Sequence, residues 1–156
     1  MRKQVLIILS RLFPLYHKRK GQETHFAESL KGGRKIHTIR ANYDRWKHNL
    51  DKVINGGFKL SIREWSGRPY NSRQNEIMSV SGERVGYQRI SMTYDPMSDE
   101  LKVVIDGRRF TDIERLANND GLSLEDFKQI LFGATKSTEK QLFQGIIIHL
   151  TEYRSQ

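Results

Sequence analysis

Phe58-Lys59-Leu60-Ser61-Ile62-Arg63 sets an apolar residue at every second position. A period of two marks a strand with one face in a core and the other toward solvent. Ile77–Val80 and Val85–Tyr94 follow, short and rich in β-branched and aromatic residues, and Asp95-Pro96 breaks the second. Leu101–Ile105 then runs into Asp106-Gly107, a favoured two-residue hairpin turn, with Arg108–Phe110 as the returning strand. Strands packed this closely between residues 58 and 110 imply a mostly antiparallel, meandering sheet.

Working outward from that block, the upstream chain alternates helices and strands. Asn42 can cap a helix from Tyr43 to Ile54, whose stripe of Trp46, Leu50, Val53 and Ile54 has helical spacing and which Gly56-Gly57 ends. Lys35–Arg40 is a strand candidate. Thr24 can cap a short helix through Leu30, stopped by Gly32-Gly33. Val5–Leu9 is a continuous apolar run and reads as a buried strand. At five residues it is too short for a signal-peptide core of about 7–15 residues or a spanning helix of about 20. A soluble, cytoplasmic protein with no membrane contact is therefore expected.

Downstream, Thr111-Asp112-Ile113-Glu114 is a capping box opening a helix to Asn118. Ser123 caps another over Leu124–Phe132, with Gly133 as its stop, and Gly145–Tyr153 is a last strand carrying Ile146-Ile147-Ile148. With no repeat and no linker, the expectation is one α+β domain over residues 1–156, a curved, mostly antiparallel barrel flanked by short helices.

The chain has 156 residues, 27 Lys plus Arg against 18 Asp plus Glu, and no cysteine. Lack of cysteine excludes a disulfide scaffold and any Cys-ligated metal. The charge is segregated. Residues 1–50 carry 12 basic and 3 acidic side chains, which is the whole net charge of +9; the remainder is balanced. Segregation of this kind suggests a basic face and an anionic partner.

Three segments could carry chemistry. In Gly32-Gly33-Arg34-Lys35-Ile36-His37-Thr38-Ile39-Arg40, glycine N–H groups are followed at once by Arg, Lys and His, which suits a phosphate or a polarised carbonyl. It reads equally as a helix stop followed by a strand with a solvated basic face. His17-Lys18-Arg19-Lys20 is either a solvated loop or a phosphate contact. In Arg63–Arg73, the interleaving of Trp65, Arg68 and Tyr70 suits base stacking with phosphate pairing, or a cover for a barrel mouth. His17, His25, His37, His48 and His149 show no metal-binding spacing, and neither a phosphate-binding loop nor a dinucleotide fingerprint is present. No metal or cofactor is expected.

At Gly33–Arg40 the sequence resembles the ASCH domain family of the PUA-like superfamily, whose pattern there is a short helix and then G-R-K-x-x-T-I-R. Phe26 and Leu30 lie on the preceding helix as in the family. Asp120–Lys128 is similar to the helix before the last strand of small bacterial acetylcytidine amidohydrolases in this superfamily. The resemblance implies a PUA-like β-barrel and a cleft that binds RNA or a modified nucleobase. The amidohydrolase members imply catalytic roles for Lys35 and Thr38, with Asp120 in place of a family glutamate. Aspartate is one methylene, about 1.5 Å, shorter.

Three functions follow as expectations. The first is nucleic-acid binding, RNA ahead of DNA: Lys18, Arg19, Lys20 and Arg34 would contact phosphate, while His37, Arg40, Trp65, Arg68 and Tyr70 would serve a basic cleft for a base or nucleotide. The second is amide hydrolysis on a modified, acylated nucleoside by Lys35, Thr38 and Asp120. The third is a plain interaction module for an acidic protein.

Overall fold

The computed structural model describes residues 3–151. Its elements are β1 (Gln4–Leu9), α1 (Phe26–Lys31), β2 (His37–Ala41), α2 (Tyr43–Ile54), β3 (Lys59–Trp65), β4 (Gln74–Val80), β5 (Gly86–Asp95), β6 (Glu100–Ile105), β7 (Arg108–Phe110), α3 (Ile113–Asn119), α4 (Leu124–Phe132) and β8 (Gln141–His149). The α+β class expected from the sequence is therefore present.

The strands form two sheets. One has the order β1-β3-β4, the other β2-β8-β5-β6-β7. The alternating segment at 58–63 lies in β3, in the middle of the smaller sheet, with Leu60 and Ile62 fully buried. β5, β6 and β7 form the expected meander about Asp106-Gly107. β8 is central in the larger sheet, antiparallel to both β2 and β5. Its isoleucine run is apolar because both faces are covered. Ile146 and Ile148 pack with Leu50, Val53 and Leu60 on one side, while Ile147 packs with Met92, Leu116 and Phe127 on the other. Phe26 of α1 touches both cores.

The structure departs from the sequence expectations in several places. β1 pairs with β3 in parallel, Gln4 opposite Lys59 through Leu9 opposite Glu64, which the intervening α1, β2 and α2 make possible as a crossover. Among the described residues the pairing gives two open sheets, and no ladder closes them into a barrel. The link between the sheets at one edge is a side chain: Arg40 Nη2 of β2 donates to the Ile8 carbonyl of β1 at 2.6 Å. The last strand starts four residues earlier than Gly145, because Gln141-Leu142-Phe143-Gln144 continues the ladder with β5, and it stops at His149. Glu152 and Tyr153 lie outside the described residues.

Capping follows the side chain with the better reach. Asn42 accepts from the Arg45 N–H and Ser123 from the Asp126 N–H, as expected. At α3 the cap is Asp112, not Thr111, and it accepts from the Arg115 N–H. At α1 the cap position is taken by His25, one residue after Thr24. The Thr24 hydroxyl accepts from the Phe26 N–H at 3.4 Å while donating to the Ser10 carbonyl at 2.7 Å. No helix among the described residues is long and apolar enough to cross a membrane.

Candidate nucleic-acid interface and the buried lysine beside it

The segment after α1 is held by backbone bonds before any side chain acts. Gly33 takes a left-handed φ of 79°, which turns the chain back so that the Arg34 and Lys35 N–H groups both donate to the Ser29 carbonyl. Ile36 N–H then donates to the Asn119 carbonyl at the end of α3. This clamp drives the Lys35 side chain inward, where it is 1% exposed. Its Nζ donates to both the Asp120 carboxylate and the Asp120 carbonyl at 2.8 Å, and lies 4.3 Å from the Phe26 ring centroid. Gly121, at φ 82°, lets the backbone pass against the lysine stem; a Cβ there would sit 3.3 Å from Lys35 Cβ.

Burial pushes the Lys35 ammonium down and the Asp120 carboxyl up, and the charge of each opposes the shift of the other. Arg40 adds a second positive charge, lowering both groups. The pair is thus a buried ion pair with its hydrogen-bonding groups turned on one another. Thr38, 6% exposed, is opposite Ile148 on β2.

His37 is 3% exposed, and its Nε2 has no partner. Burial holds its pKa down at about 3, and the Lys35 charge works in the same direction. The His149 ring meets it edge-on at 6.0 Å, and burial lowers His149 to about 4. Both imidazoles are neutral near pH 7, so His37 brings no cation to a surface.

Arg40, five residues after Lys35, faces a different environment. It lines a cleft of about 330 Å³ with Ser10, Arg11, Trp65, Pro69 and Tyr70. Arg11 Nε is buried and has no hydrogen-bond partner, while its Nη1 lies 3.6 Å from Glu23. Trp65 and Tyr70 meet with ring centroids 5.3 Å apart and a tilt of 49°.

The loop that presents Tyr70 is tightly bonded. Ser66 N–H donates to the Arg73 carbonyl, Asn71 N–H to the Arg68 carbonyl, and Gly67 N–H to Ser72 Oγ. Tyr70 itself sits at φ 65° with its side chain outward, 87% exposed. A tyrosine held in the left-handed region and turned to water is an uncommon and unfavourable arrangement. The cleft therefore offers two guanidinium groups and an aromatic pair, which can grip an anionic group and a flat ring together.

Of the residues singled out in the sequence, Arg40, Trp65 and Tyr70 meet in this cleft, and Arg68 is exposed in the same loop. Lys35 and Asp120 meet one another in the interior. Lys20 and Arg34 are exposed. Lys18 pairs with Glu125, and Arg19 Nη1 lies 2.6 Å from Asp126 Oδ2 while stacking over Phe13 at 4.6 Å. Arg11 is the residue of the cleft that residue types do not announce; its sequence signal is a lone arginine separated from the apolar run of β1 by Ser10. Among the described residues no cluster of His, Asp or Glu has the arrangement of a metal site. The chain matches no family model, no curated protein and no solved structure.

Proposed function

We propose that the chain is a nucleic-acid-binding module of ASCH/PUA-like type that takes RNA, with an unpaired base against Trp65 and Tyr70 and its phosphate on Arg11 and Arg40. The observation that carries the reading is the cleft of about 330 Å³ in which these four side chains meet. Its support in the sequence is the confinement of the +9 charge to residues 1–50, where both arginines lie. The cleft is of the size of small-ligand sites generally, from about 300 Å³ upward. In this reading the two sheets are the opened halves of a PUA-like barrel, tied at one edge by Arg40, and the protein works in the cytoplasm.

The test is titration of a fluorescent single-stranded 12-nucleotide RNA, and its DNA counterpart, against the wild type and Trp65→Ala. Loss of one stacked base is expected to weaken binding by about 1–3 kcal/mol. The slope of log K against log salt is expected near −0.7 for each neutralised phosphate. Binding that ignores salt, or that survives Trp65→Ala undiminished, sinks the reading.

A second reading is amide hydrolysis on acetylcytidine or a related nucleoside, favoured by the 2.8 Å contact of Lys35 with Asp120 and by the place of Thr38 on β2 shortly after Lys35. In that reading Thr38 Oγ1 attacks the amide carbon, the lysine–aspartate pair carries the hydroxyl proton to the leaving amine as the C–N bond breaks, and water then releases acetate from the threonine ester. Chromatography of acetylcytidine incubated with the wild type decides it; the absence of released cytidine ends this reading.

A further inference from the structure

Residues 10–24 form a strap between β1 and α1. Its base is a narrow hairpin: Leu12 bridges Glu23, Thr24 N–H donates to the Arg11 carbonyl, and Phe13 N–H donates to the Gln22 carbonyl. Its base also forms one wall of the cleft, through Ser10, Arg11 and Leu12. At its tip stand Lys18, Arg19 and Lys20.

Two layers hold the strap to α4. The inner layer is buried. Phe13 and His17 stack with ring centroids 4.6 Å apart at 4% and 2% exposure, and at its margin the exposed Tyr16 donates its Oη to the Ile130 carbonyl at 2.6 Å. The outer layer is ionic. Lys18 pairs with Glu125, its backbone N–H donates to Gln129 Oε1, and Arg19 pairs with Asp126, which also faces His17 Nε2 at 3.4 Å. Both carboxylates belong to the first turn of α4, where the helix dipole favours negative charge.

The outer layer is the exchangeable one. The Lys18 and Glu125 side chains are 49% and 69% exposed, and an exposed pair of this kind contributes little and weakens with salt. Arg19 is 41% exposed, but its partner Asp126 is only 7% exposed and would keep His17 Nε2 at 3.4 Å as its remaining contact once Arg19 left. A phosphate oxygen offers each cation the same chemistry as the carboxylate it now has.

We propose that Glu125 and Asp126 are intramolecular stand-ins for phosphate, holding the cationic tip of the strap closed until a single-stranded nucleic acid displaces them. The inference rests on the nucleic-acid reading of the cleft, and it extends that site along the strap. Inhibition is therefore part of the fold: the two carboxylates keep two of the three tip cations from any anion that cannot compete with them.

The test uses the full chain as wild type, Glu125→Gln, and Glu125→Gln with Asp126→Asn. Two readouts are needed, limited trypsin cleavage at Lys18–Lys20 and affinity for a fluorescent single-stranded uridine 12-mer. The double variant is expected to be cut faster at the tip and to bind about 10-fold more tightly at low salt, its salt slope steeper by about 1.4 for two further phosphates. Adding Lys18→Ala and Arg19→Ala to it is expected to abolish the gain. Should Asp126→Asn disturb the His17 contact and the fold, Glu125→Gln alone is expected to give about a threefold gain.

Unchanged cleavage in both variants overturns the latch, whatever the RNA result. Faster cleavage without tighter binding, while Trp65→Ala still weakens binding, overturns the competition and leaves the cleft reading standing. Binding by no variant overturns the cleft reading and the competition together.

Discussion

Lys35 and Arg40 stand five residues apart in one basic motif, yet they meet opposite surroundings. Lys35 is sealed, 1% exposed, with a carboxylate and a carbonyl both at 2.8 Å. Arg40 is half-buried: it donates to the Ile8 carbonyl, lies close enough to Lys35 and Asp120 for its charge to act on both, and also lines the cleft. The choice follows from chemistry. A compact ammonium can be satisfied by one nearby acid, whereas a guanidinium has five donors and can serve both a structural partner and a ligand. The same basic motif thus supplies an interior tie and, in the function proposed above, part of a binding surface.

The largest effect expected is on the tie. Lys35→Met leaves Asp120 charged with its partner gone, and breaking a buried pair from one side costs about 3–5 kcal/mol. Thermal unfolding is expected near 10 °C lower for a chain of this length. Adding Asp120→Asn removes the stranded charge and is expected to restore part of that loss. Arg40→Met removes both the tie to the Ile8 carbonyl and a guanidinium of the cleft, so it is expected to lower RNA affinity as well as stability. A Lys35→Met protein melting like the wild type would break the comparison, since the pair would then not hold the fold.

The next effect is acid lability. His37 and His149 have folded pKa values of about 3 and about 4, below the ordinary 6.5. Between those values the unfolded chain binds more protons than the folded one, so stability rises with pH and is lost on acidification below about 6.5. At pH 5 each histidine is expected to have withdrawn about 2 kcal/mol relative to pH 8. Urea midpoints at pH 8, 7, 6 and 5 measure the trend, and His149→Gln is expected to flatten it by about half. Among the described residues the cleft is lined by no histidine or carboxylate, so its affinity is expected to change little over this range. RNA affinity that falls in parallel with stability in the still-folded protein would blur the distinction between the two regions.

Much of the fold was legible where local chemistry decides it. The Asn42 cap with its apolar stripe placed α2, Ser123 and Gly133 bounded α4, and Asp106-Gly107 placed the β6–β7 turn. The parallel β1–β3 pairing was not legible, because nothing in either strand records a partner more than fifty residues away. Nor were the first residues of β4 and β8, where a neighbouring strand supplies the ladder to the polar Gln74–Glu76 and to the alternation Gln141-Leu142-Phe143-Gln144. For the site, residue types foretold the company of Arg40, Trp65 and Tyr70. They did not foretell that His37 would be buried neutral. They also gave no sign that Lys18 and Arg19 would find acids more than a hundred positions downstream. Charge runs show that cations exist, and only the fold shows which are already occupied.

The smallest effect is the most pointed. Tyr70 sits at φ 65°, where a residue with a Cβ is disfavoured by about 1–2 kcal/mol. Glycine accepts that φ freely but adds entropy to the unfolded chain, about 0.5–1 kcal/mol. Tyr70→Gly is therefore expected to leave stability unchanged or raise it by up to about 1 kcal/mol. Its aromatic face is lost at the same time, so binding of the RNA 12-mer is expected to weaken as for the loss of one stacked base, about 1–3 kcal/mol. Opposite signs in the two measurements would mark the strain as maintained for the ligand. If instead Tyr70→Gly lowers stability and leaves affinity intact, the tyrosine serves the loop through its contact with Trp65, and the cleft must bind by its arginines alone.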